Sequence, residues 1–374
     1  MIGSRQDRFE EWFAEPIDPK LKDPRFEVRR AHHFEYSKVY DLIDQAFGRK
    51  RSREEFKWLY EKNPTGKAQC WMVLVKETGE LVSSETIFPW PIRYGDDDLE
   101  GVLMGDSATS PHWQGQGTTK ARRRARLSHP WTARTVGFAG PNEHSRTAAA
   151  RGRRRANKPN RIMGPIPGGV MLFKSRPSLE RLGLPAGLAT PAGALCDLAL
   201  TSYQMLTPAR STKEVQVEVV QQFDSNFNEI TERSMRFDKL WSPHDSEFLN
   251  WRYFDHPTYT YHGIAVVEND RPAGYCVIRL DENRAALMEF ACPQESPELC
   301  RRLLTGAVEM ARSADCDSLN FFAPPSWRHW PLFRRSAFLP YRTENYLSAG
   351  GERYEPDIFD LDNWQLLPGD RDFQ

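Results

Sequence analysis

The chain runs through short apolar stretches and amphipathic stretches in a fixed order, and that order occurs twice. Apolar runs of four to eight residues predict strands, and apolar positions three and four apart predict helices. The first series gives a strand at Phe26–Arg30 and helices over Glu35–Phe47 and Ser52–Lys62. Ser52 with Glu55 three residues on fits a capping box. Strands follow at Cys70–Val75, Leu81–Phe88 and Leu99–Ala108, the last running into Ser110-Pro111. A helix is expected from Gly117 to Leu127, then a strand at Thr135–Phe138, a helix over Glu143–Arg154 and a closing strand around Val170–Lys174. The rest of Pro165–Pro208, rich in Gly, Pro, Ala and Leu, reads as a loose connector.

The second series starts near Glu214. It gives helices at Phe227–Phe237 and Ser246–Phe254, and strands at Gly263–Val267, Ala273–Leu280 and Ala285–Ala291. A helix at Pro297–Arg312, a strand at Ser318–Phe322, a helix at Trp327–Ser336 and a strand at Tyr341–Leu347 complete it. Individual residues support a duplication. Trp58, Tyr60 and Pro64 match Trp251, Tyr253 and Pro257 at one constant offset of 193. The same offset brings Cys70, at the start of Cys70–Val75, onto Gly263, at the start of Gly263–Val267. The expected organisation is a leader at 1–25, a first domain at 26–210, a second at 211–351 and a tail at 352–374.

Composition narrows the class. The 374 residues carry 51 basic and 51 acidic side chains, so overall charge calls for no polyanionic partner, and nucleic acid is not expected. The six cysteines form no CxxC pair and no zinc-type spacing, so no metal is expected and a reducing, cytoplasmic setting is. No run of about 18 apolar residues exists, so no membrane span is expected. Charge is nevertheless uneven: residues 120–161 hold 13 Lys/Arg and a single acid, Glu143.

Chemistry concentrates in Ser110-Pro-His-Trp-Gln114-Gly115-Gln116-Gly117-Thr118-Thr119, between a strand and a helix. Two glycines let the backbone turn and approach a ligand with no Cβ in the way. The helix start behind them offers unpaired N–H groups and a positive dipole end, an arrangement that takes phosphate.

This stretch resembles the pyrophosphate loop of the GNAT acyl-CoA N-acyltransferases, (Arg/Gln)-x-x-Gly-x-(Gly/Ala), with Thr119 in the last position. Val136-Gly-Phe-Ala-Gly-Pro-Asn142-Glu-His-Ser145 resembles the fifth strand of that family and the turn after it. The resemblance carries motifs over roughly 26–175 and pattern alone over 213–350. It implies an α/β fold with a mixed sheet in each of two tandem GNAT-like domains. It also implies acetyl-CoA or another acyl-CoA as donor, a small-molecule amine as acceptor, and direct attack of the amine on the thioester. Coenzyme contacts are expected from Ala108, Thr109, Gln114, Gly115, Gln116, Gly117, Thr118, Thr119, Asn142 and Ser145. Lys120, Arg122, Arg123 and Arg124 are placed to face the coenzyme phosphates.

The second copy lacks the loop: Pro293-Gln-Glu295-Ser-Pro-Glu298 has no glycine and two acids where phosphate would sit. Its Leu332–Phe338 segment still resembles the family's (Arg/Leu)-x-Gly-Phe close, with Ala337 in place of glycine. Asp106 on the fourth strand is expected to act as the base or to orient it, with Glu85 as second candidate. The family's tyrosine acid falls at Ala149. Two other readings use the same residues: an aminoacyl-tRNA-dependent transferase of peptidoglycan-bridge type, and a non-catalytic acyl-CoA-binding protein.

Overall fold

The computed structural model describes residues 23–48, 50–128, 135–155, 162–205, 215–234, 239–293, 295–351 and 357–370. The leader therefore lies almost wholly outside the described residues, as do six basic residues of the 120–161 stretch, at 134, 158 and 161 in whole and at 153, 154 and 155 in their side chains. The chain divides into two compact units. The first holds residues 1–162, 256–258 and 347–359; the second holds 163–255, 259–346 and 360–374.

The first unit begins with β1 (Phe26–Arg30), α1 (Tyr36–Phe47) and α2 (Arg53–Glu61). Ser52 caps α2 as its sequence requires, its hydroxyl accepting from the Glu55 N–H at 3.0 Å. Next come β2 (Gln69–Val75), β3 (Leu81–Pro89), the short β4 (Ile92–Tyr94), β5 (Asp97–Thr109), α3 (Thr118–Ser128), β6 (Thr135–Ala139) and α4 (Glu143–Arg155). A two-residue strand, β7 (Ile162–Met163), marks the passage into the second unit. The sheet order is β1-β2-β3-β5-β6, all antiparallel except β5 with β6.

One face of this sheet carries Phe26, Val28, Trp71, Val73, Ile87 and Val102 against Ala121 and Ala125 of α3. The other face packs aromatic rings from α1 and α2: Tyr36, Tyr40, Phe56 and Tyr60 meet one another, and Tyr60 meets Phe88 edge-on at 5.1 Å.

The second unit begins with β8 (Pro167–Leu172) and then the helices α5 (Arg176–Arg181) and α6 (Ala186–Met205), where a loose connector was expected. The low polarity of this stretch suits helix as well as loop, and Pro191 sits inside α6. The unit continues with β9 (Gln216–Val220), α7 (Asn226–Ser234), β10 (Leu240–Trp241) and α8 (Ser246–Leu249), which runs on as a π turn over Asn250–Phe254. It finishes its sheet with β11 (Tyr261–Glu268), β12 (Arg271–Asp281), β13 (Arg284–Ala291), α9 (Pro297–Ser313), β14 (Ser318–Phe322), α10 (Trp330–Arg335) and β15 (Leu339–Arg342). Two further strands, β16 (Leu347–Gly350) and β17 (Trp364–Gln365), follow.

The order of the second sheet is β9-β11-β12-β13-β14-β8-β15. Its β13–β14 pair is parallel, as β5–β6 is in the first unit. Trp58 and Trp251 stand in equivalent helices, each ahead of the second strand of its sheet. The duplication thus extends from sequence to topology.

Each unit takes one strand from the other's stretch of chain. The strand expected to close the first domain, around Val170–Lys174, is β8, and it pairs with β14 in the second sheet (Val170 opposite Asn320). The first sheet is completed instead by β16, whose Ala349 lies opposite Phe138 of β6. The single strand expected over Tyr341–Leu347 is therefore two strands, one in each unit. A strand's alternation fixes which of its faces is buried but names no partner, so the exchange has no signal in local pattern. The tail also departs from expectation. Ile358 packs into the first unit, while Trp364, Leu366, Leu367 and Asp370 are buried in the second.

Candidate functional site

The glycine loop has the expected form. Gly115 and Gly117 hold φ of 77° and 85°, the left-handed region that costs other residues strain, and a Cβ on either would meet nothing within 4 Å. The α3 helix starts at Thr118 immediately behind them. Among the described residues, the N–H groups of Gly115, Gln116, Gly117, Thr118 and Thr119 have no acceptor. Five consecutive free donors at the positive end of an 11-residue helix form a ready anion cradle. Gln114 and Thr119 are exposed and Thr118 is buried. Gln116 turns back, its amide donating to the His112 carbonyl at 3.1 Å while its oxygen accepts from Arg25.

A gap in the sheet lies next to the loop. The β5 and β6 strands pair only from Glu100–Leu103 to Thr135–Phe138. Beyond Leu103, β5 continues for six residues to Thr109 without that partner. Asn142 stands at the far side of the gap and caps α4, its side-chain oxygen accepting from the Ser145 N–H at 2.9 Å.

Opposite β3, the β5 strand bulges: Ser84 faces Ala108, but Thr86 faces Gly105, so Asp106 and Ser107 oppose Glu85 alone. Asp106 has φ of 45°, an unusual value for a residue with a side chain. Its carboxylate is held at both oxygens: Arg51 Nη2 donates to Oδ1 at 3.0 Å and the Tyr60 hydroxyl donates to Oδ2 at 2.8 Å. Tyr60 also lies 3.2 Å from Thr86 Oγ1. Burial, then the Asp106 charge, push the Tyr60 hydroxyl well above its ordinary value, so it remains a donor. Asp106 therefore faces the α1–α2 side of the sheet.

Glu85 points to the opposite face, 3.8 Å from Arg122 Nε and 3.5 Å from Arg126 Nε. The two candidate bases lie on opposite sides of the sheet, each beside arginine. Arg122 itself departs from expectation. It does not face solvent or phosphate but lies 6% exposed under the sheet. Its Nη1 donates at 2.7 Å to Ser83 Oγ and to the Ala108 carbonyl, and also to the Ser84 carbonyl. Burial pulls its pKa down and Glu85 opposes that shift. Lys120 and Arg123, by contrast, are exposed as expected. Ala149, where the family has its acid, is a half-buried residue of α4.

The second unit repeats part of this arrangement with a different outcome. Tyr253, the counterpart of Tyr60, donates to Glu289 Oε1 at 2.6 Å. Glu289 also lies on a bulged strand, since Val277 faces Glu289 while Ile278 faces Leu287. His244 Nδ1 lies 2.8 Å from Glu289, at ion-pair distance without hydrogen-bond alignment, and its Nε2 lies 2.9 Å from Asp370 Oδ1. Burial draws the imidazole down, but Glu289 and Asp370 outweigh it and raise His244 to about 10. No sequence signal singled out His244 or Asp370, because they stand 126 positions apart in the chain. Where β13 leaves β14, every residue from Leu287 to Pro293 is buried. Phe290 there packs edge-on against Trp327 and Phe333.

Residues 27–125 match the family model described as acetyltransferase (GNAT) domain. No curated protein matches the sequence. Many solved structures resemble the chain, among them three that do so over most of its length. A probable N-acyltransferase of unknown function from Enterococcus faecalis is 12% identical with a TM-score of 0.62, over 87% of this chain and 71% of that one. A GCN5-related N-acetyltransferase from Anabaena variabilis is 11% identical with a TM-score of 0.56, over 86% and 72%. Saccharomyces cerevisiae N-myristoyltransferase with bound myristoyl-CoA is 14% identical with a TM-score of 0.53, over 94% and 82%. At such identities the likeness is one of fold. The chain therefore has the fold seen in these N-acyltransferase structures, and its residues 27–125 match the GNAT acetyltransferase domain.

Proposed function

We propose that this protein transfers a short acyl group, acetyl or one of similar size, from acyl-CoA to a small-molecule amine, using a single coenzyme site in the first unit. The carrying observation is the run of five unpaired N–H groups at residues 115–119, at the end of a strand that has parted from its neighbour. In this reading Gln114 to Thr119 hold the pyrophosphate, and Lys120 and Arg123 add positive charge. Ala108 and Thr109 present backbone to the thioester, while Asn142 and Ser145 border the pantetheine arm.

The reaction is direct attack. The amine lone pair adds to the thioester carbonyl carbon, the C–S bond breaks, and the thiolate leaves and takes up a proton. A backbone N–H aimed at the carbonyl oxygen stabilises the charge that develops there. Asp106 carries out its part by orientation. Both of its oxygens already accept hydrogen bonds, one from a cation, and they hold the bulge that shapes β5. Glu85, engaged with Arg122 and Arg126, shapes the other face. The proton from the amine passes to water.

Calorimetry with acetyl-CoA tests the reading. One site per chain is expected, and Gly117→Glu should weaken binding at least about 100-fold by adding a Cβ at positive φ and a negative charge to the cradle. Two equal sites, or binding indifferent to Gly117→Glu in a folded variant, would overturn it. Asp106→Asn separates orientation from proton abstraction: loss of a general base costs about 10²–10⁴-fold in turnover, so a smaller loss is expected here.

A further inference from the structure

Arg122 has no place among the phosphate contacts, yet the fold commits a buried guanidinium to one point on the sheet. Arginine is seldom buried unless its donors are used. Its Nη1 has two hydrogens and meets three acceptors, Ser83 Oγ and the carbonyls of Ser84 and Ala108, so one contact is shared. Ser84 and Ala108 are opposite one another, directly beside the bulge formed by Asp106 and Ser107. The guanidinium thus ties β3 to β5 where their register slips, and it does so from the helix that begins at the glycine loop.

The ladder shows which donor this fixes. The Ser110 N–H donates to the Val82 carbonyl at 2.9 Å, so Ser110 and Val82 form a hydrogen-bonded pair. In an antiparallel ladder such pairs alternate with pairs that do not exchange bonds. Thr109, opposite Ser83, is of the second kind, so its N–H points away from β3 into the gap that β6 leaves beyond Leu103. The carbonyl of Ala108 and the N–H of Thr109 belong to one planar trans peptide and point in opposite directions. Holding the first aims the second. Thr109 is steadied further by its hydroxyl, 2.8 Å from Ser83 Oγ, the same oxygen that Arg122 reaches.

Building on the acyl-CoA reading above, we propose that Arg122 is a positioning residue: by gripping the Ala108 carbonyl from the loop-bearing helix, it aims the Thr109 N–H at the thioester carbonyl. One side chain then couples the phosphate cradle to the group that polarises the reacting bond.

Infrared spectroscopy of acetyl-CoA carrying ¹³C at the acetyl carbonyl tests this without any acceptor. On the wild-type protein the carbonyl stretch is expected to shift to lower frequency. In Arg122→Gln and Arg122→Lys that shift should be lost or mostly lost, while affinity for free coenzyme A stays within about threefold. Ser83→Ala removes the shared oxygen without touching the buried charge. It should give an intermediate shift, and it serves where an arginine variant does not fold. A full wild-type shift in a folded Arg122→Gln, or in Ser83→Ala, overturns the proposal. If the wild-type protein binds no acetyl-CoA, the acyltransferase reading itself has failed, an outcome distinct from a shift that ignores Arg122.

Discussion

The two units share a wedge and use it differently. In each, a parallel pair of strands runs together for three or four residues and then parts. In the first unit the residues beyond the parting, Met104 to Ser107, are partly or fully exposed, and the loop behind them has two glycines. In the second, Leu287 to Pro293 are all buried, Phe290 is wedged among Trp327 and Phe333, and the loop and the first turn of α9 behind it carry Glu295 and Glu298. Both units also anchor a helix tyrosine on a carboxylate at the bulge, Tyr60 on Asp106 and Tyr253 on Glu289. What recurs in a copy without the glycine loop belongs to the architecture, which supports the proposed role of the Asp106–Tyr60 pair in shaping the strand. What differs, the open wedge and the cradle, is where chemistry is expected.

The sharpest way to break the comparison is to open the second wedge. Phe290→Ala should cost about 3–5 kcal/mol, the usual price of removing a buried aromatic side chain, measured by urea unfolding. Calorimetry should still find one coenzyme site. A second site appearing in that variant would mean that packing alone separates the units.

The buried charges of the second unit come next. Asp370→Asn leaves His244 with one carboxylate partner, and breaking a buried pair costs about 3–5 kcal/mol. The pH dependence has a definite sign. The folded value for His244, about 10, lies above its ordinary 6.5, so its stabilisation is complete below pH 6.5 and is lost as pH rises towards 10. Urea midpoints between pH 6.5 and 10 should fall in the wild-type protein and fall less steeply in Asp370→Asn. Equal slopes would remove His244 from the account.

Tyr60→Phe and Tyr253→Phe each delete one buried O–H bond to a carboxylate and should each destabilise by about 1–3 kcal/mol. Only Tyr60→Phe should also slow acyl transfer. Equal slowing by Tyr253→Phe would show that the second wedge takes part in the reaction.

The smallest effect concerns Ala337, which stands where the family has glycine and adopts φ of 67°. Ala337→Gly should raise stability by up to about 1 kcal/mol, since left-handed strain of about 1–2 kcal/mol is partly offset by glycine's greater freedom when unfolded. A fall in the melting temperature would show that the buried Ala337 methyl matters more than the strain.

The amino-acid sequence by itself determined the local structure. Ser52 and Glu55 set the start of α2, Asn142 set the cap of α4, and Gly115 and Gly117 set the turn ahead of α3. Each depends on residues within a few positions of one another, where backbone preference and capping act. The Trp58/Trp251 offset likewise revealed the duplication, because it compares the chain only with itself. Tertiary structure decided everything that depends on partners distant in the chain. It gave β8 to the second sheet and β16 to the first, turned Arg122 from the phosphates to the underside of the bulge, and set Arg51 against Asp106 and His244 against Asp370. Alternation shows that a strand has an inner face and charge shows that an arginine needs acceptors. Which strand and which carbonyls supply them is settled only when the whole sheet is assembled.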